Sequence, residues 1–182
     1  KGVDIPEIIR WDGIGDNGEV VPDGFYRFYM KAWDDNENVS ETERYGLVID
    51  NTAPEIEIDE IADQDKIFSP NNDGNKDELQ ISQDGSSEDV WSAVIKSADG
   101  RVYKNYQWQN GSPESIVWDG KDDKKLLVPD GVYFYYIEAK DRAGNVVEKE
   151  LANLIINTQS TPISLTVDAS YFAPGIDGAR NK

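Results

Sequence analysis

The chain has 182 residues, 38% of them hydrophobic and 30% charged, with a formal net charge of −18. That mixture belongs to folded chains, and a surface so negative repels nucleic-acid phosphates and anionic lipids, leaving cations or basic surfaces as the favoured partners. Cysteine and histidine are both absent, which excludes disulfides, thiolate nucleophiles, the usual zinc sites and imidazole bases.

The apolar residues lean to Val, Ile, Tyr and Trp, which suit a pleated, half-buried surface. The first recognisable block runs over residues 11–34, from Trp11-Asp12-Gly13 through Val21-Pro22-Asp23-Gly24. After the Pro-Asp-Gly turn, Tyr26, Phe28, Met30 and Ala32 alternate with Arg27 and Lys31. The spacing predicts a strand with the first set facing a core, since burying unpaired charge is costly. Gly13, Gly15 and Gly18 match a G-x-G-x-x-G dinucleotide pattern, but Val20-Val21-Pro22 follows where that motif needs a helix to receive the phosphates.

A short junction, Ile49-Asp50-Asn51-Thr52-Ala53-Pro54, leads into a series of alternating or β-branched runs. Strands are predicted at residues 55–60, 78–82, 89–97, 101–108, 115–118, 131–140 and 146–157, with turn residues between them. Asp99-Gly100 reads as a hairpin turn. In the strand over 131–140, Tyr133, Tyr135, Ile137 and Ala139 are the predicted core set, and no segment carries a helical period. No stretch approaches the ~18 apolar residues of a membrane span.

The chain repeats itself. Residues 118–141, WDGKDDKKLLVPDGVYFYYIEAKD, restate residues 11–34, WDGIGDNGEVVPDGFYRFYMKAWD. Trp118 follows Trp11 by 107 residues, and the same offset relates Pro129 to Pro22, Asp130 to Asp23, Tyr133 to Tyr26 and Asn145 to Asn38. Each block ends in Asn-Thr, at Asn51-Thr52 and Asn157-Thr158, before a proline at Pro54 and Pro162. A second match pairs residues 68–77, FSPNNDGNKD, with residues 172–181, FAPGIDGARN. One repeat is then about 105 residues, the size of one β-sandwich. The expected organisation is the second half of one repeat in residues 1–53, a complete sandwich in 54–158, and the opening strands of a third in 159–182. The expected class is an all-β, immunoglobulin-like antiparallel sandwich in tandem, cut from a longer array.

The WDG–VPDG–AxDxxxN run resembles the immunoglobulin-like module known from bacterial flagellar hook-capping proteins. FSPNNDGNKD resembles an element that opens many bacterial surface and secreted repeats. Their alternation is similar to long envelope repeat proteins of spirochaetes. The resemblance implies a sandwich array exported to the periplasm or cell surface, with no catalytic residues. Asp130-Gly131-Val132-Tyr133 also resembles the tyrosine corner of immunoglobulin-like sandwiches, whose phenol bonds back to nearby backbone.

One loop invites metal chemistry. Asn71, Asp73, Asn75 and Asp77 place oxygens at alternate positions around Gly74, and calcium takes 6 to 8 oxygen ligands. The loop lacks the carboxylate that completes an EF-hand, since Ser82 stands there; self-closure by Asx turns is the competing reading. Asp119, Asp122 and Asp123 form a second acidic cluster with Asp12 and Asp16 as its counterpart. Asp119 and Asp12 match in place and are expected to brace the turn through backbone N–H groups, with metal binding as the competing reading of the cluster. Trp11 and Trp118 are expected to plug sandwiches, and Trp33 to lie exposed or at a module junction. Trp91 and Trp108 flank the central hairpin and are expected to pack in the core or an interface. Carboxylates are plentiful, but no spacing singles out a catalytic pair. The sequence therefore points to a non-enzymatic structural spacer of the cell envelope, with calcium as the candidate cofactor and neighbouring repeats as partners. The alternative is an adhesion module that binds another envelope protein or a glycan.

Overall fold

A computed structural model describes residues 8–167. Thirteen strands follow one another, with a single 3-10 turn at Asp63–Asp65. They are β1 (Gly24–Phe28), β2 (Lys31–Trp33), β3 (Val39–Glu41), β4 (Tyr45–Ile49), β5 (Ile56–Ile58), β6 (Ile67–Phe68) and β7 (Leu79–Ile81). The chain continues through β8 (Gln83–Gly85), β9 (Glu88–Ser97), β10 (Val102–Gly111), β11 (Ile116–Trp118), β12 (Gly131–Lys140) and β13 (Val146–Ile156).

Strands β5 to β13 form the sandwich. One sheet has the order β10-β9-β12-β13-β6, antiparallel except for the parallel β13–β6 edge. The facing layer is made of the pairs β5–β8 and β11–β7, with β7 and β8 separated only by Ser82. The long strands are those with strict alternation, and their inward residues form the core. Trp91, Ala93 and Ile95 of β9, and Tyr133, Tyr135, Ile137 and Ala139 of β12, are all buried. Leu79, Ile81, Ile116 and Trp118 of the facing layer cover them from the other side, and Phe68 of the edge strand β6 joins the same core.

Period-two alternation has to break where an odd spacing must face the same way. Leu151 and Leu154 both turn toward the core cluster, although strict alternation would put them on opposite faces. A register shift opposite Tyr133 and Tyr135 absorbs the extra residue, and Asn153 takes a left-handed φ of 64° there. A β-bulge of this kind preserves the facing of every residue on either side.

Two short strands escape prediction. Ile67–Phe68 and Gln83–Gly85 are too brief, and the latter too polar, for a period to be read. Both matter: Phe68 packs edge-on against Trp118 with ring centroids 5.3 Å apart. Gln83, the one buried polar residue named in the core, joins the two layers. Its carbonyl accepts the Tyr135 hydroxyl at 2.7 Å and its amide donates to the Glu114 carbonyl at 2.8 Å. A buried amide satisfied at both ends is tolerated; one left open would be destabilising.

In residues 8–53 the strands are shorter. β1 pairs with β4 and β2 with β3. Phe28 and Met30, expected in a core, are exposed, and Tyr26 is half-buried. Trp11, expected to plug a sandwich, is 47% exposed. The reason is that no second layer covers them among the described residues. Residues 159–167 form no strand, and Ile163, Leu165 and Val167 lie exposed. The second DG-containing segment, with Gly175, Asp177 and Asn181, falls outside the described residues.

Candidate functional site

The Pro-Asp-Gly corner organises both halves of the molecule. Tyr26 donates its hydroxyl to the Pro22 carbonyl at 2.7 Å, and Tyr133 donates to the Pro129 carbonyl at 2.6 Å. The tyrosine corner expected at Tyr133 is therefore present, and a second stands at Tyr26. The tryptophan turns match likewise: Trp11 Nε1 donates to the Ile14 carbonyl, and Trp118 Nε1 to the Lys121 carbonyl. Asp12 and Asp119 each accept the backbone N–H two residues on, the bracing expected of them. Asp122 accepts the N–H groups of Lys124 and Leu126, and Asp123 accepts from Asn105. The Gly13–Gly18 stretch is a turn closed by a bridge between Ile14 and Val20, with no helix to receive a phosphate.

The Pro-Asp-Gly aspartates have a further task. Asp23 reaches the end of its own block, accepting the Asn51 N–H at 2.7 Å, the Asn51 amide at 2.8 Å and the Thr52 hydroxyl at 2.5 Å. These bonds, the Thr52 hydroxyl first and the Asn51 N–H next, hold the Asp23 carboxyl below the usual aspartate range against a smaller opposing effect of burial. Asp130 grips Thr158 in the same way, through its N–H and its hydroxyl. The Asn-Thr segments are thus stapled linkers.

A second motif meets the linker from the other side. The turn over residues 141–145 is closed by Asp141, whose carboxylate accepts the N–H groups of Gly144 and Asn145 and the Asn145 amide at 2.7 Å. Partial burial pushes this carboxyl up, but the bonds from Asn145 and the turn amides outweigh it and leave it lowered. Asn145 Nδ2 also donates to the carbonyls of Asp50 at 3.0 Å and Thr52 at 3.3 Å. In the sequence Asn145 stands out only as one member of the repeat, through its fixed offset from Asn38.

The 71–77 loop closes on itself. Asn71 Oδ1 accepts the Asp73 N–H, Asp73 Oδ1 accepts the Asn75 N–H, and Asp77 accepts the N–H groups of Asn72 and Gly74. Asn72, Gly74 and Lys76 all have positive φ, so the loop coils tightly. Hydrogen bonds to the Asn75 N–H first, then to Asn71, lower the Asp73 carboxyl. Lys76 anchors the loop to the Gln64 carbonyl and to Asp65. Asn71, Asp73, Asn75 and Asp77 do therefore share one turn, each of the three acceptors in it engaged by the loop's own amides. Among the described residues no group of three or more carboxylates is arranged to hold a metal.

The tryptophans divide by context. Trp91 is fully buried and donates to the Ser86 carbonyl. Trp108 lies directly across from it in the β9–β10 ladder and packs on the core. Trp33 is 69% exposed on β2.

No curated protein matches the chain in a sequence comparison. Residues 62–151 match the family described as the CHU_C type IX secretion signal domain. The match begins just before the 3-10 turn and ends inside β13; the fold extends past it, because Leu154 and Ile156 are buried and Ile56 and Ile58 pack on the core. The central sandwich thus carries the match to a type IX secretion signal domain.

Proposed function

We propose that this segment is a non-catalytic, extracytoplasmic part of a bacterial envelope protein, in which the central sandwich serves export and the modules serve as spacers. The observation that carries the reading is the family match over residues 62–151, lying on a sandwich whose core and turns are spent on packing and self-bonding. Among the described residues no group of three or more acidic side chains is set apart to hold a metal. The stapled Asn-Thr linkers support the spacer half, because a joint fixed by side-chain bonds keeps modules from folding back on one another. The repeat of the tryptophan turn, tyrosine corner and Asp-Thr staple supports a tandem array of hook-cap-like modules.

Export tests the first half. The chain, placed between an inner-membrane leader and a fluorescent reporter, is expected to reach the surface or medium of a bacterium with a type IX system. It is expected to stay in the periplasm of one that lacks the system. Periplasmic retention in both would overturn the export reading. Trp33 favours a second reading as a protein- or glycan-binding module, whose mark is retention on peptidoglycan or a glycan array that Trp33→Ala abolishes.

A further inference from the structure

The stapled linker has two sides, and only one of them belongs to the module it ends. On the near side Asp23 takes the Asn51 N–H and the Thr52 hydroxyl. On the far side Asn145, 93 and 95 residues further along, takes the carbonyls of Thr52 and Asp50. N–H groups and carbonyls of one linker segment are thus held by side chains from before and after it in the chain. Ala143 of the same turn lines a cavity with Trp11, Asp12, Ile49, Asp50 and Asn51, so the turn borders the base of the preceding segment as well as bonding its linker.

We propose that the 141–145 turn is a docking site for the extended Asp-Asn-Thr linker of the module in front, and that Asn145 locks the joint between the two. The chemistry recognised is backbone carbonyl, which explains how a site can serve successive linkers whose side chains differ. Asp141 orients the carboxamide by holding one end of it at 2.7 Å, leaving the remaining N–H to the linker oxygens. The 34–38 turn is built the same way. Asp34 accepts the N–H groups of Asn36 and Asn38 and the Asn38 amide at 2.8 Å. Among the described residues Asn38 Nδ2 has no further acceptor, so this turn offers the same site to another linker of the same kind. The locked joint deepens the spacer half of the proposed function and is independent of the export half.

The test is ¹⁵N relaxation on the whole chain. In the native protein, amides of β1 and β4 are expected to share one rotational correlation time with those of β12 and β13. Asn145→Ala and Asn145→Asp are expected to lose that common time, with β1 and β4 tumbling faster. In Asn145→Ala the turn keeps its backbone closure, because the N–H of residue 145 still donates to Asp141 Oδ1, whereas Asn145→Asp also sets a carboxylate against Asp141, which held the amide at 2.7 Å. Buried Trp91 and Trp118 fluorescence reports that the sandwich stays folded. Asn38→Ala, the same change at the other turn, is expected to keep the common time. A common time retained by either folded Asn145 variant, or lost equally in Asn38→Ala, overturns the proposal. Failure of export with the joint intact would count against the export reading alone.

Discussion

Trp11 and Trp118 close the same turn with the same indole bond, Tyr26 and Tyr133 make the same corner, and Asp23 and Asp130 staple the same threonine. Burial separates them: Trp11 is 47% exposed, while Trp118 is fully enclosed by its neighbours. Phe68 and Tyr133 meet the Trp118 ring edge-on at 5.3 and 5.2 Å, whereas Trp11 has Tyr26 alone in edge contact, at 5.9 Å. Turn chemistry is local and forms wherever the motif stands. Enclosure requires a second layer, and among the described residues β5, β7, β8 and β11 supply it only to the central sandwich. The two halves are an internal control for what the motif does by itself and what the sandwich adds.

The largest expected effect follows from that control. Trp118→Ala removes a ring from a closed core and is expected to destabilise by about 3–5 kcal/mol, read from denaturant unfolding. Trp11→Ala is expected to cost about 1 kcal/mol or less, as surface changes do. Equal costs would mean that the first half is enclosed in solution by something the described residues do not supply.

A glycine pair sharpens the same contrast. Gly13 and Gly120 occupy equivalent places with φ of 82° and 69°. A methyl group on Gly120 would meet Pro70 at 2.6 Å, whereas Gly13 has open space. Gly13→Ala is expected to cost only the left-handed backbone penalty, about 1–2 kcal/mol. Gly120→Ala should add an overpacking term of about 1–3 kcal/mol. The difference between the two melting shifts isolates the sandwich's contribution from the turn's.

The smallest expected effect concerns calcium, and the 71–77 loop is peculiar to the complete sandwich among the described residues. Its oxygens already accept the loop's own amides, so millimolar calcium against EDTA is expected to move the melting temperature by no more than about 2 °C. A larger rise, abolished by Asp73→Ala, would make the loop a calcium clamp and set the two halves apart chemically as well as in burial.

Much of this was legible beforehand. Alternation of charge and apolarity in 131–140 marked Tyr133, Tyr135, Ile137 and Ala139 as core, because only one parity avoids burying charge. The Pro-Asp-Gly-x-Tyr spacing announced the corner, and aspartates two residues before a backbone N–H announced the braced turns. These are short-range effects, written within five residues. The same alternation in Tyr26, Phe28, Met30 and Ala32 named a face that wants covering, but it could not say whether anything covers it. Nor could spacing find Gln83 beneath Tyr135, Phe68 against Trp118, or Asn145 on the carbonyls of Asp50 and Thr52. Those pairs lie 52, 50, and 95 and 93 residues apart, and they meet only after two layers have closed and the segment before Pro54 has settled on the 141–145 turn. Sequence alone determined the long strands of the sandwich, their facing and their turns, because those depend on neighbours along the chain. Tertiary structure decided enclosure and the joint, because these depend on which distant surfaces are brought together.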